Sequence, residues 1–205
     1  MNALIFSGGS FRGFPQDFDK NQYNLVIAAD SGYLSACEAG VLPDIVIGDF
    51  DSYPENLVNA KKIIRLNPVK DATDTQEAID IAHSHGAKKI TILGALGGRI
   101  DHTLANIHLL KYARLKGISL EIEDCDTYIT LAGEDTHISR CQGFCLSLIP
   151  LTDCTGVSIS GVYYPLKDAL MPVGNPYGIS NEFTENNAHI SVKSGDLLVM
   201  LCKSI

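Results

Sequence analysis

Four short apolar runs, each breaking off into a stretch that carries carboxylates, constrain this chain more than any other feature. Leu25-Val26-Ile27-Ala28-Ala29 runs into Asp30-Ser31-Gly32, and Asp44-Ile45-Val46-Ile47 into Gly48-Asp49-Phe50-Asp51-Ser52. Lys62-Ile63-Ile64-Arg65-Leu66 leads to Lys70-Asp71-Ala72-Thr73-Asp74, and Ile90-Thr91-Ile92-Leu93 opens into Gly94-Ala95-Leu96-Gly97-Gly98-Arg99-Ile100-Asp101-His102. Short runs that are apolar on both faces are the habit of a parallel sheet covered on both sides by helices. Ligands of such sheets bind beyond the carboxyl ends of the strands. Parallel strands would therefore bring four acidic sets to one edge. Taken alone, Asp49-Phe50-Asp51 reads better as a polar turn. The convergence changes that reading, because gathered carboxylates raise electrostatic energy unless a cation sits among them. The expected ion is Mg²⁺, which takes carboxylate oxygens and shares its other positions with water and phosphate.

The segments between these runs read as helices. Ser31 to Ala39 is closed by Gly40. Thr73 to His85 carries Thr73 and Gln76 or Asp74 and Glu77 at cap spacing, an apolar face of Ala78, Ile81 and Ala82, and Gly86 as its stop. Ile100 to Lys116 ends at Gly117, and its apolar positions, among them Leu104, Ile107, Leu110 and Leu115, predict burial on more than one side. Ahead of them, Ala3-Leu4-Ile5-Phe6 is a strand followed by Ser7-Gly8-Gly9-Ser10, a tight turn able to approach a phosphate but short of the full dinucleotide fingerprint.

Near residue 120 the texture changes. From Asp126 onward the sequence offers strands and turns: Tyr128 to Leu131, Phe144 to Ile149, Gly156 to Ile159, Ile190 to Val192 and Leu197 to Cys202. The expected fold is thus an N-terminal parallel-sheet α/β nucleotide-binding domain followed by a C-terminal antiparallel β-sandwich. The boundary falls between about 121 and 126, giving domains 1–123 and 124–205. Within the second, Gly161-Val162-Tyr163-Tyr164-Pro165-Leu166 and Gly178-Ile179-Ser180-Asn181-Glu182-Phe183 stand out. Singly they read as core packing and a turn; a shared ligand would join them.

Composition narrows the partners. A net charge of −8 without a Lys/Arg-rich face argues against nucleic acid, and an anionic ligand would need metal and a few placed cations. No run approaches a membrane span and Met1-Asn2-Ala3-Leu4 lacks a charged leader, so a cytoplasmic location is expected. Six cysteines without finger-like pairing predict reduced, mostly buried thiols.

Taken together, Gly48 to Ser52, Lys70 to Asp74, Gly97 to His102 with Asn106 downstream, and Ser180-Asn181 resemble the motifs of thiamin pyrophosphokinases in order and approximate spacing, over nearly the whole chain. The resemblance implies an α/β catalytic, ATP-binding domain, a β-sandwich thiamin-binding domain, and a homodimer with thiamin bound between subunits. It also implies Mg²⁺-dependent transfer of pyrophosphate from ATP to thiamin, releasing AMP. Carried over by position, Asp49, Asp51 and Asp74 resemble metal-site aspartates, and Asp101 resembles an aspartate near the reacting groups. Gly97, Gly98 and Arg99, with Asp30 and Ser52, would contact ATP. Ser180 and Asn181 resemble the pair that recognises the aminopyrimidine. The chain has no Trp, so Tyr163 or Tyr164 would stack on the thiazolium where many members carry one. Asp101 and Asp71 are both candidates to accept the hydroxyl proton. Two rivals remain at this level: a haloacid dehalogenase-type phosphatase using Asp49-Phe50-Asp51-Ser52, and a non-catalytic nucleotide or thiamin sensor.

Overall fold

The computed structural model describes residues 1–50, 59–67 and 71–204. Asp51, Ser52 and Lys70 lie outside the described residues. The chain divides into two compact units, Met1–Cys125 and Asp126–Ile205.

In the first unit the strands are β1 (Asn2–Phe6), β2 (Leu25–Ala29), β3 (Ile45–Gly48), β4 (Lys62–Arg65), β5 (Lys89–Leu93) and β6 (Ser119–Asp124). The helices are α1 (Gly32–Glu38), α2 (Asp74–Ser84) and α3 (Ile100–Leu115). The strands lie in the order β4-β3-β2-β1-β5-β6, and every neighbouring pair is parallel. Ile5 pairs with Ile27 on one side and Ile92 on the other, and all three are wholly buried. That is why these runs show no polar alternation. Helix α2 starts where the sequence places it, with the Thr73 hydroxyl accepting the Gln76 N–H at 3.2 Å.

Two expectations for this unit are corrected. Helix α3 buries one face, through Asn106, Leu109, Leu110 and Ala113, while Ile100, Leu104 and Leu115 are exposed. Its apolar residues outnumber those that one sheet face can cover. Strand β6 has no counterpart among the expected strands, although buried Leu120 and Ile122 alternate with Glu121 and Glu123 at a strand's period.

The second unit holds β7 (Thr127–Leu131), β8 (Thr136–Ser139), β9 (Phe144–Pro150), β10 (Cys154–Ser160), β11 (Leu166–Met171), β12 (Asn187–Ser191) and β13 (Leu197–Lys203). Strands β7-β13-β9 run antiparallel in that order, and β11-β10-β12-β8 form a second antiparallel sheet. Leu146, Leu148, Val199 and Leu201 from the first set share one core with Ile138, Val157, Ile159 and Ile190 from the second. The result is a β-sandwich. Strands β8 and β11 are additions to the expected set, since both are short and mostly solvent-facing. All six cysteines are free thiols, but only Cys154 is buried, against the expectation of mostly buried ones.

Candidate active site

In the first unit, β1 is flanked by β2 on one side and β5 on the other, so the chain leaves it in both directions. A crevice opens at such a point, beyond the carboxyl ends of the strands. Here it is a cavity of ≈ 480 Å³, lined by the segments after β1, β2 and β5 and the first turns of α2 and α3. The turn after β1 is fastened to the loop after β5: Ser7 N–H donates to Leu93 O (2.9 Å), Gly9 N–H to Gly94 O (2.8 Å) and Ser10 N–H to Leu96 O (3.0 Å). A Cβ at Gly9 would stand 2.5 Å from Gly94 O, and Gly94 itself has φ +65°. Both positions need glycine for the two backbones to meet.

Two buried polar contacts brace this floor. The Asn106 amide donates to Ala95 O at 2.8 Å, and the Ser7 and Thr75 hydroxyls are 2.7 Å apart. The carboxylates lining the cavity are Asp30 and Asp74, with Ser7, Ser10, Thr73 and Thr75 around them. Carboxylates among hydroxyls make a hard oxygen donor set, which fits Mg²⁺ and not a thiophilic metal.

Arg99 also lines the cavity. Its guanidinium grips Asp101 in a two-point fork, Nε to Oδ1 at 3.1 Å and Nη2 to Oδ2 at 2.6 Å. Chiefly through this Arg99 contact, helped by the His102 backbone N–H and opposed by desolvation, the Asp101 carboxyl is held down at about 2. So low a value makes Asp101 a weak proton acceptor near neutral pH and a strong anchor for Arg99.

The structure thus brings Asp30, Asp74, Gly97, Gly98 and Arg99 to one cavity, with Asp101 fastened to its Arg. Among the described residues, its lining does not include Asp49 or Asp71. Asp49 follows β3 and its carbonyl accepts from Arg65 Nη1 at 3.4 Å, while Asp71 is exposed. Asp51 and Ser52 fall outside the described residues. Thr75 and His102 join the lining without having been singled out. Thr75 had a signal, its place in the first turn of a helix that begins at an acidic strand end.

In the second unit, Asn181 is buried and its amide is committed within the fold. Oδ1 accepts from the Tyr164 N–H (3.0 Å) and the Glu182 N–H (3.1 Å), and Nδ2 donates to Tyr164 O (2.9 Å). Its backbone bridges Leu146 of β9. Asn181 therefore clamps the Tyr163-Tyr164 segment against the Gly178–Phe183 segment. Tyr163 and Tyr164 are exposed, edge to face at 4.8 Å between ring centres, and Ser180 is exposed with φ 57°. Ser180 is tied separately to β9, its N–H donating to the Ser147 hydroxyl at 3.0 Å.

A parallel sheet with a glycine turn, carboxylates and an arginine at its switch point is an arrangement suited to holding the phosphates of a nucleotide. Residues 19–122 match the family model for the thiamin pyrophosphokinase catalytic domain, and residues 135–197 that for the vitamin B1 binding domain. The chain is 30% identical over 191 residues to the thiamine pyrophosphokinase of Bacillus subtilis, covering 88% of each. Its structure is similar to that of a thiamin pyrophosphokinase family protein from Enterococcus faecalis, with TM-score 0.88, 27% identity and full coverage of both chains. It is also similar to the crystal structure of the Bacillus subtilis enzyme, with TM-score 0.84 and 26% identity over 100% of this chain and 99% of that one. The chain belongs to the thiamin pyrophosphokinase family.

Proposed function

We propose that this chain transfers the terminal pyrophosphoryl group of ATP to the hydroxyl of thiamin, forming thiamin diphosphate and AMP. The observation that carries the reading is the switch-point cavity, where a glycine turn, Asp30, Asp74 and Arg99 converge on a space fit for a triphosphate, in a chain of this family. In the reaction the thiamin oxygen bonds to the β-phosphorus, the bond from that phosphorus to the α–β bridging oxygen breaks, and AMP leaves with the electron pair. The hydroxyl proton passes to a base or to solvent.

Such chemistry asks the protein for alignment and charge stabilisation more than for covalent work. Asp30 and Asp74 of the cavity, with Asp49 and Asp51 carried over from the family motif, would hold magnesium, which would neutralise charge on the phosphate oxygens. The backbone N–H groups of Gly97 and Gly98 would seat phosphate, with the Ser7–Ser10 turn, fastened to the loop after β5, forming the wall beside them. Arg99, aimed by Asp101, would supply a permanent positive charge. Asp101 and Asp71 both remain candidates to accept the hydroxyl proton.

Thiamin would bind on the surface carrying Tyr163, Tyr164 and Ser180, with a tyrosine face against the cationic thiazolium. Exposed Leu170, Val173, Tyr177 and Ile179 in the same unit support a homodimer in which a second copy covers this surface. No helix among the described residues is long and apolar enough to cross a membrane, in keeping with a cytoplasmic location. The phosphatase alternative gains no support: its aspartate motif belongs after the first strand, where this chain has Ser7-Gly8-Gly9-Ser10.

Phosphorus NMR of purified protein with ATP, Mg²⁺ and thiamin tests the proposal. AMP and thiamin diphosphate should grow in equal amounts. Stoichiometric ADP, or free phosphate alone, would overturn it.

A further inference from the structure

We propose that His137 of β8 and His189 of β12 form a chelating site for a divalent transition cation of the Ni²⁺, Cu²⁺ or Zn²⁺ kind, on the outer face of the second unit. The two residues are directly opposed in the antiparallel β8–β12 pairing. Because the Arg140 N–H donates to Asn186 O at 2.8 Å, the alternation of the ladder makes His137–His189 a non-hydrogen-bonded pair. Pairs of that kind have the shorter Cα separation, about 4.5 Å, and side chains that lie close together. The imidazole rings stand 4.3 Å apart, centre to centre, at 71°. Both residues are exposed, whereas Ile138 and Ala188 beside them face the core.

A second observation bears on ligation. Nε2 of His137 lies 2.9 Å from Oδ1 of Asp135. A carboxylate only accepts, so Nε2 carries the hydrogen and the lone pair of the neutral ring is on Nδ1. Histidines that bind metals are commonly held this way, the far nitrogen donating to a carboxylate that fixes the tautomer and raises the basicity of the ligand. Imidazole nitrogen favours nickel, copper and zinc over magnesium. The flanking side chains are short: Ser160 stands across from His189 on β10, and Ser139 with Asn187 forms the next cross-strand pair. They leave room for water to complete the coordination shell.

Strand β8 is the edge of its sheet, so an ion held by both histidines would fasten that edge to β12 and stabilise the folded chain by mass action. The site is independent of the proposed pyrophosphoryl transfer and shares no residue with it.

Calorimetric titration of the full chain with NiCl₂, in excess Mg²⁺, provides the test. One ion should bind per chain, and His137→Asn or His189→Asn should weaken that binding about tenfold or more, since one tooth of a chelate is lost. Asp135→Asn should weaken it less. In ¹⁵N-resolved NMR, paramagnetic broadening should centre on residues 135–139 and 187–191. Thiamin diphosphate formation should be unchanged in both histidine variants. Nickel affinity within twofold of wild type in the double variant, or broadening centred on the cysteines, would overturn the assignment.

Discussion

Glu123 shows how far one side chain can depart from what its sequence neighbours suggest. It lies on β6 two residues from Glu121, which pairs with Lys89 at 3.0 Å. Desolvation, reinforced by the Glu121 charge and only partly offset by Lys89, pushes its carboxyl up to about 7. The folded chain therefore keeps a proton that the unfolded chain releases near the usual glutamate value. Stability from this group is full at low pH and is lost as pH rises through about 7, at a slope approaching 1.4 kcal/mol per pH unit. Glu123→Gln should remove that falling limb and raise the melting temperature at pH 8, with little change at pH 5. Melting curves across that range would contradict this if the two proteins kept parallel profiles. Such residues are hard to read from sequence, because Glu121 and Glu123 look alike there and differ only in what the fold places over them. Asp30 was legible because it follows directly on buried β2, and Asp74 and Arg99 because each stands at the start of a helix that an apolar run leads into. Asn106 entered only through the family motif, and its buried contact with Ala95 O depends on α3 folding back over the loop after β5.

Among elements, legibility followed periodicity and caps. Helix α2 announces itself through Thr73, and β1, β2 and β5 through their apolar runs 3–6, 25–29 and 90–93, which only Thr91 interrupts. Strands β6, β8 and β11 carry mixed faces and owe their conformation to the neighbours they pair with, which no local pattern records. The segments 161–165 and 178–183 are irregular, yet the Asn181 clamp and the Val162–Phe183 bridge tie them to each other. Asn181→Ala should cost about 1–3 kcal/mol of stability by leaving the Tyr164 backbone groups unpaired. On the proposed reading it should also raise the KM for thiamin while sparing that for ATP. Steady-state kinetics with each substrate varied would show this. An equal rise in both constants would argue that the clamp does not serve the acceptor.

For the molecule as a whole, the division at Cys125 gives each unit a core of its own. The proposed chemistry asks for phosphate handling in the first and acceptor recognition in the second. If a second copy completes the acceptor surface, specific activity should fall on dilution, in step with the monomer fraction seen by analytical ultracentrifugation. Activity that stays constant per chain once monomers dominate would rule out a shared site. The parallel order of the first unit also bears on how the chain is made. Its central strand, β1, is made before the other strands of the unit, yet its partner in one direction is β5, with Asn2 set against Lys89. At about 5–20 residues per second, β1 waits several seconds with that edge unmatched. Loop closure over so long a stretch is slow, so synthesis passes through an interval in which an apolar strand is open to chaperones or to the same strand on a neighbouring nascent chain.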